Sequence, residues 1–149
     1  MTIRDRLFTI FTWWVVVTIF IGIALFAFWE LYPYEILEFS EGNGMVAVEE
    51  VTAGKTIALR QNQCKYKELP AQLNRQFVND IIYSVNTIRT NRPLGCHSSV
   101  EYVYVPMALP TGFYRIRTVI SYKVNPIRTI TYTVLTNEFH VTNPNDIIK

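Results

Sequence analysis

The sequence predicts an all-β fold, an antiparallel β-sandwich, preceded by one N-terminal transmembrane α-helix. Residues 7–29 contain no charged side chain. Roughly seven later segments alternate apolar and polar residues, with Gly, Pro, Asn or Asp between them at spacings of about ten residues. The chain has 149 residues, and without the span and its leader roughly 120 remain, enough for one ordinary domain.

A short basic leader, 1–6, carries Arg4 and Arg6. The apolar run 7–29 makes a helix of ~34 Å at ~1.5 Å per residue, enough to cross a hydrocarbon core of ~30 Å. Lys and Arg are retained in the cytoplasm, and the next base after Arg6 is Lys55. The predicted orientation is therefore N-terminus cytoplasmic and domain periplasmic or extracellular, on an inner (cytoplasmic) membrane. Trp29, Tyr32 and Tyr34 stand where an outer aromatic belt belongs, whereas Trp13 and Trp14 lie deeper than an inner belt requires. The rival reading is a cleaved signal peptide. Its apolar region would run ~7–15 residues to an A-x-A-like exit, and Ala24-Leu25-Phe26-Ala27 has the wrong spacing, so an uncleaved anchor is expected. Thr18 and Gly22 form a small-xxx-small pair, the candidate for helix pairing.

Residues 30–44 read as an acidic stalk and first strand. Six acids and no Lys or Arg fall between Glu30 and Gly54, against twelve bases and five acids from Lys55 onward. A first strand is expected over 34–39. Glu41-Gly42-Asn43-Gly44 is a turn and not a phosphate loop, lacking the Lys-Ser/Thr and helix that would follow.

The sandwich is expected over 45–141, with a frayed tail at 142–149. Strands are predicted over 45–51 and 56–61, around Ala53-Gly54-Lys55. Leu73, Phe77, Ile81 and Val85 recur every four residues, a helical period, while 80–85 is β-branched and aromatic. A loop or short helix to about residue 76, then a strand to about 88, is expected, followed by a polar loop over 89–95. In 100–107, Tyr102 and Tyr104 alternate with Val103 and Val105. After the turn Pro110-Thr111-Gly112, a strand places Tyr114, Ile116, Thr118, Ile120, Tyr122 and Val124 on one face and Arg115, Arg117, Val119, Ser121 and Lys123 on the other. Asn125-Pro126 breaks it. A partner returns from about Arg128 with Ile130, Tyr132 and Val134 inward, and Phe139 and Val141 extend it past a kink near Asn137.

Gly112-Phe113-Tyr114 resembles the approach to the penultimate strand of immunoglobulin and fibronectin type III domains, with Tyr114 as the tyrosine-corner residue. The hairpin 114–141 is similar to the final strand pair of that fold. The resemblance covers about 90 to 105 residues and implies an Ig-like sandwich. All three Trp are in or beside the span, and Ile116 occupies the place of the second intersheet Cys. The order of leader, anchor and small sandwich also resembles membrane-anchored accessory proteins of tailed bacteriophages, which implies action on a host envelope during infection. No N-x-Ser/Thr sequon follows the span.

Cys64 and Cys96 fall in the exported part, where a disulfide can persist. A bridge would close ~33 residues, worth ~3.5 kcal/mol in the chain-entropy model; the alternative is two buried free thiols. Catalytic chemistry is not expected. His97 and Ser98 are adjacent, so on a strand they point to opposite faces, and G-x-S-x-G is absent. Cys64, Cys96, His97 and His140 lack metal-ligand spacing. No dinucleotide or P-loop motif is present, and the acids cluster in the stalk rather than as a pair for glycoside cleavage.

The binding candidate is the basic face of Arg115, Arg117, Lys123 and Arg128, suited to anionic headgroups, envelope polymers or an acidic protein. The alternative is a solvated sheet face whose cations discourage edge association. Nucleic acid is not expected, since no aromatics interleave these bases. The expected function is a non-enzymatic, membrane-tethered binding or scaffolding module, without metal or cofactor. Its expected partners are the lipid bilayer and an envelope protein or anionic envelope polymer. The alternative is a small assembly or regulatory subunit that contacts a larger membrane complex through the transmembrane helix.

Overall fold

The computed structural model of the chain describes residues 3–85 and 87–148; Met1 and Thr2 of the leader, Asn86, and Lys149 of the tail lie outside the described residues. The chain forms two units, one built on the N-terminal helix with Asn125–Arg128, the other holding all the strands.

Helix α1 runs Ile3–Leu31. It contains no proline and a single glycine, is without charge on every side from Leu7 to Trp29, and stops just before Pro33. Its stretch Arg6–Leu31 is long and apolar enough to cross a membrane. Thr12 and Thr18 turn their hydroxyls back onto the carbonyls of Phe8 and Trp14, both at 2.9 Å, which satisfies them without a neighbour. The last turn has no basic residue. Its carbonyls, the negative end of the helix dipole, instead meet donors from Asn125 and Arg128. Asn125 Nδ2 donates to Trp29 (3.1 Å), and Arg128 Nη1 donates to the carbonyls of Glu30 and Tyr32. Arg128 also lies 5.8 Å over the ring of Tyr34, which packs edge-on against Tyr32.

The second unit is two sheets around one core. Sheet one contains β1 (Leu37–Phe39), β2 (Met45–Val46), β4 (Thr56–Lys65) and β8 (Gly95–Tyr104). Sheet two contains β3 (Glu50–Thr52), β5 (Ala71–Val78), β6 (Ile82–Ser84), β7 (Ile88–Thr90), β9 (Gly112–Lys123), β10 (Thr129–Leu135) and β11 (Phe139–Thr142). In sheet one β4 is central, with β8 along one side and β1 then β2 along the other. In sheet two β9 is central, flanked by β5 on one side and by β10 and β11 on the other; β6 and β7 extend β5. Strand β3 runs parallel beside β11, so the sheets are not antiparallel throughout as expected.

The face of β9 that carries Tyr114, Ile116, Thr118, Ile120 and Tyr122 is buried as the alternation predicts. Its Tyr114 and Ile116 pack with Ile57, Leu59, Val103, Val105, Phe77, Phe139 and Val141 into the core between the sheets. Toward the other end the interior also takes in polar side chains, beside Leu73, Ile120 and Tyr122. Gln61, Gln63 and Lys65 continue the inward row of β4, and Arg75 that of β5. Lys65 Nζ donates to the carbonyls of Leu69 and Arg92 (both 2.8 Å) and to Asn91 Oδ1 (3.2 Å). Burial pulls its pKa below the ordinary lysine value. Arg75 and Arg92 both pair with Glu101 of β8, which ties sheet two to sheet one.

Several expectations are corrected. The helix or loop expected before residue 76 is strand β5. Leu73 and Phe77 are four apart, which puts them on one face of a strand as well as of a helix, and Ala71, Leu73, Arg75 and Phe77 alternate inward. The single strand expected over 45–51 is split between the two sheets as β2 and β3. The first strand begins at Leu37, β4 runs on to Lys65, β7 interrupts the loop expected over 89–95, and β8 begins earlier and stops at Tyr104. The tail contains a 3₁₀ turn, Pro144–Ile148, where Asp146 accepts from the Thr111 N–H. Gly44 has φ +76° and sits where a Cβ would come 2.7 Å from a methyl of Val134, so this turn is confined to glycine.

Candidate functional site

Strand β8 has two unlike sides. Its inward side chains, Glu101 and Val103 among them, join the interior. Its outward side chains are Cys96, Ser98, Val100, Tyr102 and Tyr104. Across the outer face of sheet one, Met45, Arg60 and Val100 form one row, Ala58 and Tyr102 the next, and Thr56 and Tyr104 a third. Tyr102 is 73 % exposed, Val100 56 %, Met45 53 % and Tyr104 49 %. Tyr, Met and Arg are the residue types enriched at the centres of protein interfaces. Arg60 is exposed, and its guanidinium meets no carboxylate among the described residues.

The backbone of β8 is open along one edge. The carbonyls of Ala58, Arg60 and Asn62 accept from Ala47, Gly44 and Ser40, and the Asn62 N–H donates to Asn43 Oδ1. Even-numbered residues of β4 therefore turn their main-chain groups toward β1 and β2, and odd-numbered ones toward β8. By register, Gly95, His97, Ser99, Glu101 and Val103 complete that ladder. Cys96, Ser98, Val100, Tyr102 and Tyr104 then direct N–H and C=O groups away from β4, and among the described residues no strand pairs with them. The Cys64–Cys96 disulfide joins directly opposed residues at one end of this pair of strands.

The sequence candidates are not brought together. Arg115 lies 3.6 Å from Glu138, and with Arg117 it lines an open surface groove that also holds Asp80. Lys123 is six residues further along β9, about 20 Å away at strand rise, in a different groove beside Arg89. Val119 and Ser121 stand between them on β9, with Asn74 and Gln72 opposite on β5. Arg128 is absent from this face altogether, being engaged at the end of α1. Thr18 bonds its own helix, and a Cβ at Gly22 would meet nothing within 4 Å, so both lie on open helix surface.

His97 Nε2 is 2.9 Å from the Leu94 carbonyl, while Ser98 Oγ donates to Asn62 Oδ1 on the other side of the strand. His140 belongs to sheet two. Its Nδ1 is 3.6 Å from Glu50, and its ring packs on Phe113. The hydrogen bond from Thr142, and secondarily His140, hold the Glu50 carboxyl below the ordinary value. Among the described residues no three metal-ligating side chains cluster. An interior cavity beside Gln61, Gln63 and Thr118 measures about 10 Å³, room for about one water.

The open edge of β8 is not legible in the sequence, although the Tyr102–Tyr104 alternation is. Alternation identifies two faces, but which edge lies open depends on where the following and preceding segments pair. No protein-family model matches this chain, and no curated protein is similar to it.

Proposed function

We propose that this protein is a non-enzymatic binding module, tethered to a membrane by α1, that presents the outer face and free edge of sheet one to a protein partner. The observation that carries the reading is the exposed group Val100, Tyr102 and Tyr104 on a strand that, among the described residues, is bonded along one edge only. Arg4 and Arg6 before the span, with no further base until Lys55, favour a cytoplasmic N-terminus and an extracytoplasmic domain on the cytoplasmic membrane. We read the β-domain as Ig-like. The Tyr114 hydroxyl, which donates to the Pro110 carbonyl four residues upstream at 3.0 Å, fits the tyrosine corner of that fold. Under the phage resemblance, the partner would be a host envelope protein.

The test is capture from native membranes with the full chain, beside a variant whose residues 7–29 are replaced by an unrelated apolar helix. A partner kept by the swapped chain and lost on Tyr102→Lys supports the module. A partner lost with the helix swap and kept by Tyr102→Lys overturns it in favour of an assembly subunit that docks through its span.

A further inference from the structure

We infer that β8 accepts an extended segment of a protein partner as an added strand of sheet one, and that this segment carries a carboxylate for Arg60. The inference deepens the proposed function and rests on it. An open edge of alternate N–H and C=O groups is complementary to another extended backbone. On β8 the residues that offer those groups are the same ones whose side chains form the outer face, Val100 and Tyr102 foremost. A segment laid along the edge therefore meets main chain and apolar side chains together, and alternate residues of its own stand beside Val100, Tyr102 and Tyr104 on the outer face. The strand is held in place before any partner arrives. The Cys64–Cys96 disulfide fixes one end to β4, and Glu101 pins the middle to Arg75 and Arg92. Little ordering is left to oppose binding.

Charge decides the occupant. Arg60 is two strand spacings from the added strand, about 10 Å, and a glutamate there reaches it across the shorter Val100. A second copy paired through its own β8 supplies no such group. The outward side chains of β8 are Cys96, Ser98, Val100, Tyr102 and Tyr104, without a carboxylate, and both Arg60 side chains would stay unpaired.

The experiment is residue-resolved hydrogen exchange on the full-length protein in detergent micelles. The probe is a capped nine-residue peptide of alternating threonine and valine whose central valine is glutamate. Two further peptides carry lysine at the centre or N-methyl groups on alternate amides. The Val100 and Tyr102 amides should exchange freely in the protein alone and slow by about tenfold or more with the glutamate peptide. The N-methylated peptide should give no slowing. Arg60→Glu should transfer the preference to the lysine peptide. Val100→Pro, which removes an edge donor and leaves the β4 ladder intact, should abolish slowing; the N-methylated peptide makes the same test on the unaltered chain.

Unchanged exchange with every peptide overturns the inference, and equal slowing by glutamate and lysine peptides overturns the assignment of the carboxylate. Protection already present in a dimeric, peptide-free protein overturns it in favour of a second copy. Capture of a membrane partner that survives Val100→Pro but not Tyr102→Lys overturns strand addition while leaving the binding module standing.

Discussion

The outer faces of the two sheets differ in what their neighbours leave exposed. On sheet two, β9 carries Arg115, Arg117 and Lys123 but is flanked on both sides, so only side chains are offered. Neutral Val119 and Ser121 separate Lys123 from the other two, and Arg115 and Arg117 share their groove with Glu138 and Asp80. On sheet one, β8 carries almost no charge and is flanked on one side only, so it offers side chains and backbone together. A count of charges favours the first face. Strand order and exposure favour the second.

The largest effects should come from the inward side of β8. Glu101→Gln leaves Arg75 and Arg92 without a counter-charge in the interior and should cost about 3–4 kcal/mol of stability in denaturant unfolding. If it costs no more than an outer-face substitution, the division between a structural and a binding side of β8 fails. Next, Cys64→Ser should cost about 3.5 kcal/mol through the lost loop closure and abolish the mobility shift on reduction in gels. On the outer faces, Tyr102→Lys and the triple change Arg115→Glu, Arg117→Glu, Lys123→Glu should each stay within about 0.5 kcal/mol of the parent. Only Tyr102→Lys should lose the captured partner, and the reverse result would return the site to sheet two.

The smallest effect is at Glu50. Its folded-state pKa lies below the unfolded value, so its contribution is complete above the unfolded pKa and disappears as pH falls through the folded one. Glu50→Gln should flatten the acid limb of a stability–pH curve slightly, and no change would mean that the Thr142 and His140 contacts contribute nothing.

Much of sheet two was legible because β9 is long, alternates strictly and is buried on one face. Tyr114 to Tyr122 declare that face without tertiary information. Segment 71–78 was not legible, since the spacing of Leu73 and Phe77 satisfies two periods and Arg75 occupies an inward position that composition assigns to solvent. Lys65 and Glu101 likewise stand on inward rows that composition assigns to solvent. Their partners, Asn91, Arg75 and Arg92, lie 26 residues or closer to them in each pair, yet only the folded sheets bring them together. The open edge of β8 was the least legible feature, because an edge is defined by the strand that is not beside it.

The most direct measurement places a photo-reactive amino acid at Tyr102 or at Ser121 in the full chain and irradiates native membranes. A specific protein adduct is expected from position 102 and none from 121. Adducts from 121 with none from 102, or adducts only from a third probe at Gly22 in the helix, would contradict it.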